Sequence, residues 1–174
     1  MADIICKNDA PEDEQIVSML LSGMSAIYSF SSKGYGHRDI KLENLFKLNS
    51  YECVLGDFGS AAELNPSGET ETTANIGMNQ RGITIAYDVT CLASAVGYMV
   101  LRRRLKFGGK NHLLREVQDF VKYPVTLEML KSLIIDENIT DSPELWNNWN
   151  ELSLIAEQHM PSLFTRFPNL KPVP

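Results

Sequence analysis

The sequence predicts a mainly α-helical fold with one small β-hairpin. Three features predict it: an early segment with apolar residues at three- and four-residue steps, two short β-prone stretches separated by Asn49-Ser50, and a nearly continuous apolar segment from 83 to 101. With 174 residues, 44% of them apolar, the chain is long enough to bury one hydrophobic core. We expect one domain over residues 1–160 and an extended, proline-containing tail over 161–174.

The first predicted helix runs from 14 to 33. It follows Asp9-Ala10-Pro11-Glu12, where an acid three residues before a second acid, with proline between them, is typical of a helix start. Gly34-Tyr35-Gly36 should end it, because glycine accepts the left-handed backbone of a helix C-terminus. The hairpin follows, with predicted strands at 45–48 and 51–55.

Residues 60–82 are rich in Ser, Thr, Asn, Gly and Glu, which predicts a long irregular loop. The apolar segment 83–101 predicts a helix buried on most sides. Helical patterns then return, at 110–121, 126–135 and 143–158. The expected order is therefore helix, hairpin, loop and four helices.

Charge and composition exclude several classes of function. The formal net charge of -6 and a pI near 5.1 disfavour nucleic acid and anionic membranes as partners. No apolar run reaches the ~20 residues of a membrane span, and the N-terminus lacks a secretion signal. Three widely spaced cysteines suggest neither a disulfide framework nor a zinc site. We expect an intracellular protein, cytoplasmic or nuclear and not secreted.

The most specific segment is 37–44, His-Arg-Asp-Ile-Lys-Leu-Glu-Asn, followed across the hairpin by Asp57-Phe58-Gly59. This combination resembles the eukaryotic-type Ser/Thr protein kinases, whose catalytic loop has the pattern H-R-D-x-K-x-x-N and whose metal-binding motif is D-F-G. The resemblance implies that residues 1–160 form a truncated kinase-like domain, the C-terminal lobe alone.

Site residues follow from the same resemblance. Asp39 would face the hydroxyl that receives the phosphate, and Lys41 would contact the transferring phosphate. Asn44 and Asp57 would hold Mg²⁺ and, through it, ATP. Phe58 would pack in the core and Gly59 would permit a sharp turn, while we expect His37 to organise the loop by hydrogen bonding.

Regulatory residues are implied as well. Thr72 and Thr73 lie in the loop where kinases of this type are phosphorylated, and Arg38 is placed to receive a phosphate or carboxylate from that loop. The alternative for the threonines is a solvated loop whose charge comes from Glu69 and Glu71.

Departures from the kinase pattern matter as much as the match. The sequence has no G-x-G-x-x-G loop, no V-A-I-K lysine and no A-P-E. An ATP site without its covering loop and lysine loses charge-assisted hydrogen bonds worth ~1.5–3 kcal/mol each, so we expect weak or no activity from the isolated chain.

Three functional hypotheses remain. The first is a regulatory truncated kinase, or pseudokinase, that binds a partner kinase, a kinase lobe or a protein substrate. The second is an active Ser/Thr phosphotransferase completed by a partner or by an upstream lobe, which the intact Asp39, Lys41, Asn44 and Asp57 favour. The third is a non-catalytic helical binding domain in which the motifs are coincidental.

Overall fold

A computed structural model of the protein describes residues 11–48, 51–64, 85–101, 110–133 and 143–170, apart from the side chains of 110–113 and 143. The described elements are mainly helices, with four very short strands. They are α1 Asp13–Ser31, β1 Tyr35–Gly36, β2 Leu45–Lys47, β3 Cys53–Leu55, β4 Ala62–Glu63, α2 Ile85–Leu101, α3 Lys110–Val117, α4 Pro124–Leu133, α5 Pro143–His159 and α6 Pro161–Arg166. Single turns of 3-10 helix occur at Leu42–Asn44, Phe58–Ser60 and Gln118–Phe120.

Helix α1 begins one residue earlier than predicted and ends two residues earlier. A capping box defines its start: Glu12 accepts from the Gln15 backbone, and the Glu12 N–H donates to Gln15 Oε1 at 3.2 Å. Past its end, Gly34 adopts a left-handed backbone with φ of 85°. A side chain there would be strained, which is why glycine follows the helix.

The predicted hairpin is confirmed. Strands β2 and β3 pair antiparallel, with Leu45 opposite Leu55 and Lys47 opposite Cys53. A second antiparallel pair, β1 with β4, was not predicted, because two-residue strands leave no alternating pattern in the sequence. It joins the residues before the 37–44 segment to those after Asp57-Phe58-Gly59.

The core lies between α1 and α2. These helices approach closely at Gly23, where an added Cβ would lie 2.5 Å from Leu92 Cδ1. The predicted buried helix is confirmed as α2, since its apolar residues are buried around most of its circumference. Trp149 from α5 and Met129 from α4 complete the same core.

The C-terminal prediction is partly wrong. Residues Pro161–Arg166 form helix α6 and are not extended, because proline is well tolerated in the first turn of a helix. Leu163 and Leu170 are buried in the core, so residues 161–170 pack as part of the fold. Five helices, not four, therefore follow the predicted loop among the described residues.

Thr72, Thr73 and most of the predicted loop lie in 65–84, outside the described residues. The division of the chain into two parts at residue 160 stays a prediction. Within the described ranges, no helix combines the length and apolar character needed to cross a bilayer.

Candidate functional site

The candidate site is built on the loop that links β1 to the 3-10 turn Leu42–Asn44, together with the end of β3. Asp88, in the first turn of α2, anchors this loop. Its Oδ2 accepts the His37 N–H at 2.7 Å and its Oδ1 accepts the Arg38 N–H at 2.8 Å. Asp88 is only 2% exposed. A buried carboxylate that accepts two consecutive amides fixes the loop to the central helix.

The hydrogen bonds to Asp88 hold Arg38 in an unusual backbone conformation. Its backbone is left-handed, with φ of 71°, a conformation that residues other than glycine rarely adopt. The paired hydrogen bonds to Asp88 compensate for that strain. Burial raises the pKa of Asp88, while the backbone amides of Arg38 and His37 oppose the rise by stabilising the carboxylate.

His37 connects the two halves of the site. Its ring is buried, Nε2 lies 3.1 Å from the Gly56 carbonyl oxygen, and Nδ1 accepts the Asp39 N–H at 3.4 Å. Because a backbone N–H can only donate, the network assigns the proton to Nε2 and a bare lone pair to Nδ1. The geometry agrees with the expectation that His37 organises the loop.

Asp39, Lys41 and Asn44 meet around one oxygen atom. Asp39 Oδ2 accepts from Lys41 Nζ at 2.6 Å and from Asn44 Nδ2 at 3.1 Å. Asn44 Nδ2 also donates to the Asp39 carbonyl oxygen at 2.8 Å. The Asp39 hydrogen bond raises the pKa of Lys41, so the ammonium form is favoured beside this carboxylate. Asp39 is about one-third exposed and accessible to a ligand.

The hairpin brings Asp57 to the same place. The Gly56 N–H donates to the Asn44 carbonyl oxygen at 3.0 Å, so the residue before Asp57 is bonded directly to Asn44. Asp57 is exposed, has φ of 57°, and accepts the Gly59 N–H on Oδ1 at 3.4 Å. Its negative charge is among the contributions that raise the pKa of Lys41.

Two expectations about the D-F-G segment are wrong. Phe58 is not in the core: its side chain is 51% exposed, although its ring lies 5.1 Å from Phe30 and 5.2 Å from His37 between centroids. Gly59 does not supply the sharp turn. The left-handed residue is Asp57, whose own side chain bonds two residues ahead and stabilises that conformation.

The structure therefore brings together four of the predicted site residues, namely Asp39, Lys41, Asn44 and Asp57. Arg38 lies in the same loop, where its backbone N–H donates to Asp88. Asp88 was given no role by the sequence analysis. The signal that could have identified it is a carboxylate inside an apolar segment, because a buried charge must find hydrogen-bond donors.

The oxygen ligands present suit a hard cation. Both Asn44 bonds described above use the amide nitrogen, so Asn44 would coordinate through Oδ1, and Asp57 would coordinate through its exposed carboxylate. In the described part of the chain, no three His, Cys, Asp or Glu side chains are grouped to hold a metal. A magnesium ion here would need further oxygen ligands from water or a bound phosphate.

Comparison with known proteins gives partial matches to kinases. No protein-family model matches the sequence. The chain is 43% identical over 54 residues to Citron Rho-interacting kinase of Mus musculus, 34% over 74 residues to L-type lectin-domain containing receptor kinase I.4 of Arabidopsis thaliana, and 31% over 132 residues to Serine/threonine-protein kinase ppk16 of Schizosaccharomyces pombe.

These matches cover 30%, 41% and 63% of this chain. They span only 3%, 11% and 19% of the three relatives. The chain is thus distantly related to protein kinases and corresponds to a small part of each matched protein.

Proposed function

We propose that this protein is a kinase-related regulatory module that retains a catalytic loop and a magnesium site and binds a partner kinase, a kinase lobe or a protein substrate. The observation that carries the proposal is the hydrogen-bonded cluster of Asp39, Lys41 and Asn44, joined to Asp57 through the Gly56–Asn44 backbone bond, in a loop held by buried Asp88. Asn44 is buried, whereas Asp39, Lys41 and Asp57 are accessible.

The proposed binding surface is the outward face of the hairpin. Phe46 and Val54 are directly opposite each other on β2 and β3 and are 54% and 41% exposed. Leu48, which is 66% exposed, and Phe58 are two further exposed apolar side chains in or near the hairpin. The alternating residues Leu45 and Cys53 are buried, so Phe46 and Val54 lie on the face of the hairpin that is turned away from the core. An outward apolar face supports association, since covering it gains about 25 cal/mol per Å².

A second function is favoured by the intact hydrogen-bond network: ATP-dependent transfer of phosphate to a protein Ser or Thr, completed by a partner. In that reaction the substrate hydroxyl oxygen forms a bond to the γ-phosphorus, and the bond from that phosphorus to the oxygen of the leaving ADP breaks. Asp39 would accept the proton of the hydroxyl, and Lys41 would approach the transferring phosphate. Asn44 and Asp57 would hold Mg²⁺, which supplies charge neutralisation on the phosphates when bound.

Thermal unfolding with and without Mg²⁺ and ATP tests both functions at once. A ligand at ten times its Kd that binds only the folded state should raise Tm by roughly 3–6 °C for a chain of this size. Asp57→Ala should abolish the shift. Glu128→Gln, which removes an exposed acid on α4, is the matched control and should keep it. No shift for the wild-type protein would remove the nucleotide site and favour a non-catalytic helical binding domain.

A phosphotransfer assay then separates regulation from catalysis. The proposal expects negligible transfer by the monomer and measurable association with a kinase or kinase lobe. Association should weaken when Phe46 and Val54 are both replaced by Ser. Robust magnesium-dependent transfer by the monomer, lost in Asp39→Ala, would instead establish an enzyme that needs no partner.

A further inference from the structure

The C-terminal segment contacts the hairpin that carries the candidate site. The Arg166 guanidinium carbon lies 5.1 Å from the centroid of the Tyr51 ring and 6.0 Å from that of Phe167. The Tyr51 and Phe167 rings themselves are 5.1 Å apart and tilted by 34°. We call Arg166 and Phe167 the C-terminal clasp.

Contacts with the rest of the molecule hold the C-terminal clasp in place. Leu163, three residues before Arg166, is fully buried, and Leu170, three residues after Phe167, is 5% exposed. Ser162 Oγ also donates to Glu14 Oε1 at 3.0 Å, which ties α6 to the start of α1. The clasp therefore projects from a fixed support onto the hairpin.

Tyr51 transmits this contact toward the site. Its backbone carbonyl accepts a hydrogen bond from Ser18 Oγ on α1, and it lies two residues before β3. The hairpin closes beside it through the Leu48 N–H, which donates to the Glu52 carbonyl oxygen at 2.9 Å. Strand β3 then leads to Gly56, whose N–H bonds to Asn44. The hairpin thus connects Tyr51 at one end with Asn44 and Asp57 at the other.

We infer that the C-terminal clasp is a positioning device for the candidate magnesium ligands, an inference that rests on the proposed function for the identity of its ligand. Arg166 and Phe167 hold Tyr51, Tyr51 restrains the hairpin, and the hairpin sets the spacing of Asn44 and Asp57. An exposed cation–π contact changes an opening equilibrium about two- to fivefold, which is enough to alter the rate of amide exchange measurably.

Backbone hydrogen exchange followed by NMR tests the clasp without any ligand. The reporter is the Gly56 amide, because it bonds to Asn44 and precedes Asp57. Arg166→Gln should speed exchange at Gly56 and Leu48 about two- to fivefold and leave the Val96 amide in the middle of α2 unchanged. In a Tyr51→Leu background the same substitution should have no further effect. Lys131→Gln, which also removes an exposed cation, is the control and should leave Gly56 unchanged.

Exchange repeated at saturating Mg²⁺ and ATP completes the test, because a ligand held by Asn44 and Asp57 binds the closed hairpin and should slow exchange at Gly56. The inference is overturned if Arg166→Gln leaves Gly56 exchange unchanged, if Val96 accelerates equally, or if bound Mg²⁺ and ATP do not slow exchange at Gly56. A wild-type protein that binds no magnesium–ATP would remove the proposed function. The exchange at Gly56 would then decide by itself whether the clasp holds Asn44 and Asp57 in place.

Discussion

Two buried carboxylates perform the same physical task in two regions of the molecule. Asp13 is the first residue of α1 and Asp88 lies in the first turn of α2; they are 3% and 2% exposed. Asp88 accepts the N–H groups of His37 and Arg38, and Asp13 accepts those of Lys122 and Tyr123, each at 2.7 or 2.8 Å. A buried acid bonded to two consecutive amides is therefore not by itself a mark of function.

The segments that donate these bonds distinguish the two acids. Lys122 and Tyr123 immediately precede α4, where the first N–H groups of a helix lack partners within the helix, so Asp13 caps that helix from a distance. Thr126 Oγ1 adds a third bond to Asp13 at 2.7 Å. His37 and Arg38, by contrast, lead directly into Asp39. The same device fixes a helix in one region and a candidate active site in the other.

Replacement of each acid by alanine should produce the largest effects. Each change removes the acceptor of two amides, and a buried amide left without a partner costs about 1–3 kcal/mol, so we expect Asp88→Ala to lose about 2–6 kcal/mol in the free energy of unfolding. The loss from the two amides should be smaller for Asp13→Ala, because Lys122 and Tyr123 are exposed and water can reach them. Urea unfolding measures this loss. The two variants should differ in ligand response: Asp88→Ala should lose any Tm shift with Mg²⁺ and ATP, and folded Asp13→Ala should keep it.

Milder substitutions guard against complete unfolding. Asp13→Asn and Asp88→Asn each retain one acceptor oxygen. They should lose less free energy of unfolding than the alanine variants and should differ from each other in ligand response in the same way. If Asp13→Asn loses the ligand response while it remains folded, the assignment of Asp13 to the fold alone is wrong.

Gly23→Ala should produce the next largest effect, because it acts on the contact between the helices that carry the two acids. The added Cβ would lie 2.5 Å from Leu92 Cδ1 and 2.7 Å from Cδ2, so Leu92 must move. Overpacking of this kind costs about 1–3 kcal/mol. Ser25→Ala, at an exposed position of the same helix, is the control and should stay within about 0.5 kcal/mol of wild type. Equal stability of the two variants would show that the helices separate without cost.

The sequence predicted more of the fold than of the anchoring contacts. Helices α1 and α2 and the hairpin were predictable, because their apolar residues follow the helix or strand period over several turns or a full strand pair. The role of Asp88 was not, because its donors lie 50 and 51 residues away in the chain. Helix α6 was not predicted, because the four prolines of residues 161–174 indicate extended chain, although proline is acceptable in the first helical turn.

The candidate site, like the fold, could be predicted only in part. The resemblance to kinases implied that the hairpin would bring Asn44 and Asp57 together. It could not give the exposure of Phe58 or the left-handed backbone of Arg38, because both depend on the tertiary surroundings. The contact of Arg166 with Tyr51 is equally remote in sequence and leaves no local pattern.

A smaller effect should come from the third donor to Asp13. Thr126→Val keeps the shape of this fully buried side chain and removes its hydroxyl, so Asp13 loses one charge-assisted hydrogen bond. We expect a loss of about 1.5 kcal/mol by urea unfolding. Thr165→Val, at an exposed position of α6, is the matched control, since its hydroxyl bonds only to the Pro161 carbonyl among the contacts described. A loss in Thr165→Val as large as in Thr126→Val would contradict the special role of the Asp13 cluster.

The smallest expected effect is a change in the pH dependence of stability, because the burial of Asp88 and its two amide donors act in opposite directions. Burial prevails and raises the pKa of Asp88 above 3.8 in the folded protein. The folded state therefore holds this proton more tightly than the unfolded state, and the Asp88 contribution to stability falls as pH rises from about 3.8 through the folded-state pKa. Asp88→Asn has no such proton. The stability advantage of wild type over Asp88→Asn should accordingly shrink across that interval and be constant above it, as measured by urea unfolding at a series of pH values. An advantage that grows with pH would mean that the His37 and Arg38 amides outweigh burial, and Asp88 would then hold its loop more strongly as a carboxylate than its surroundings indicate.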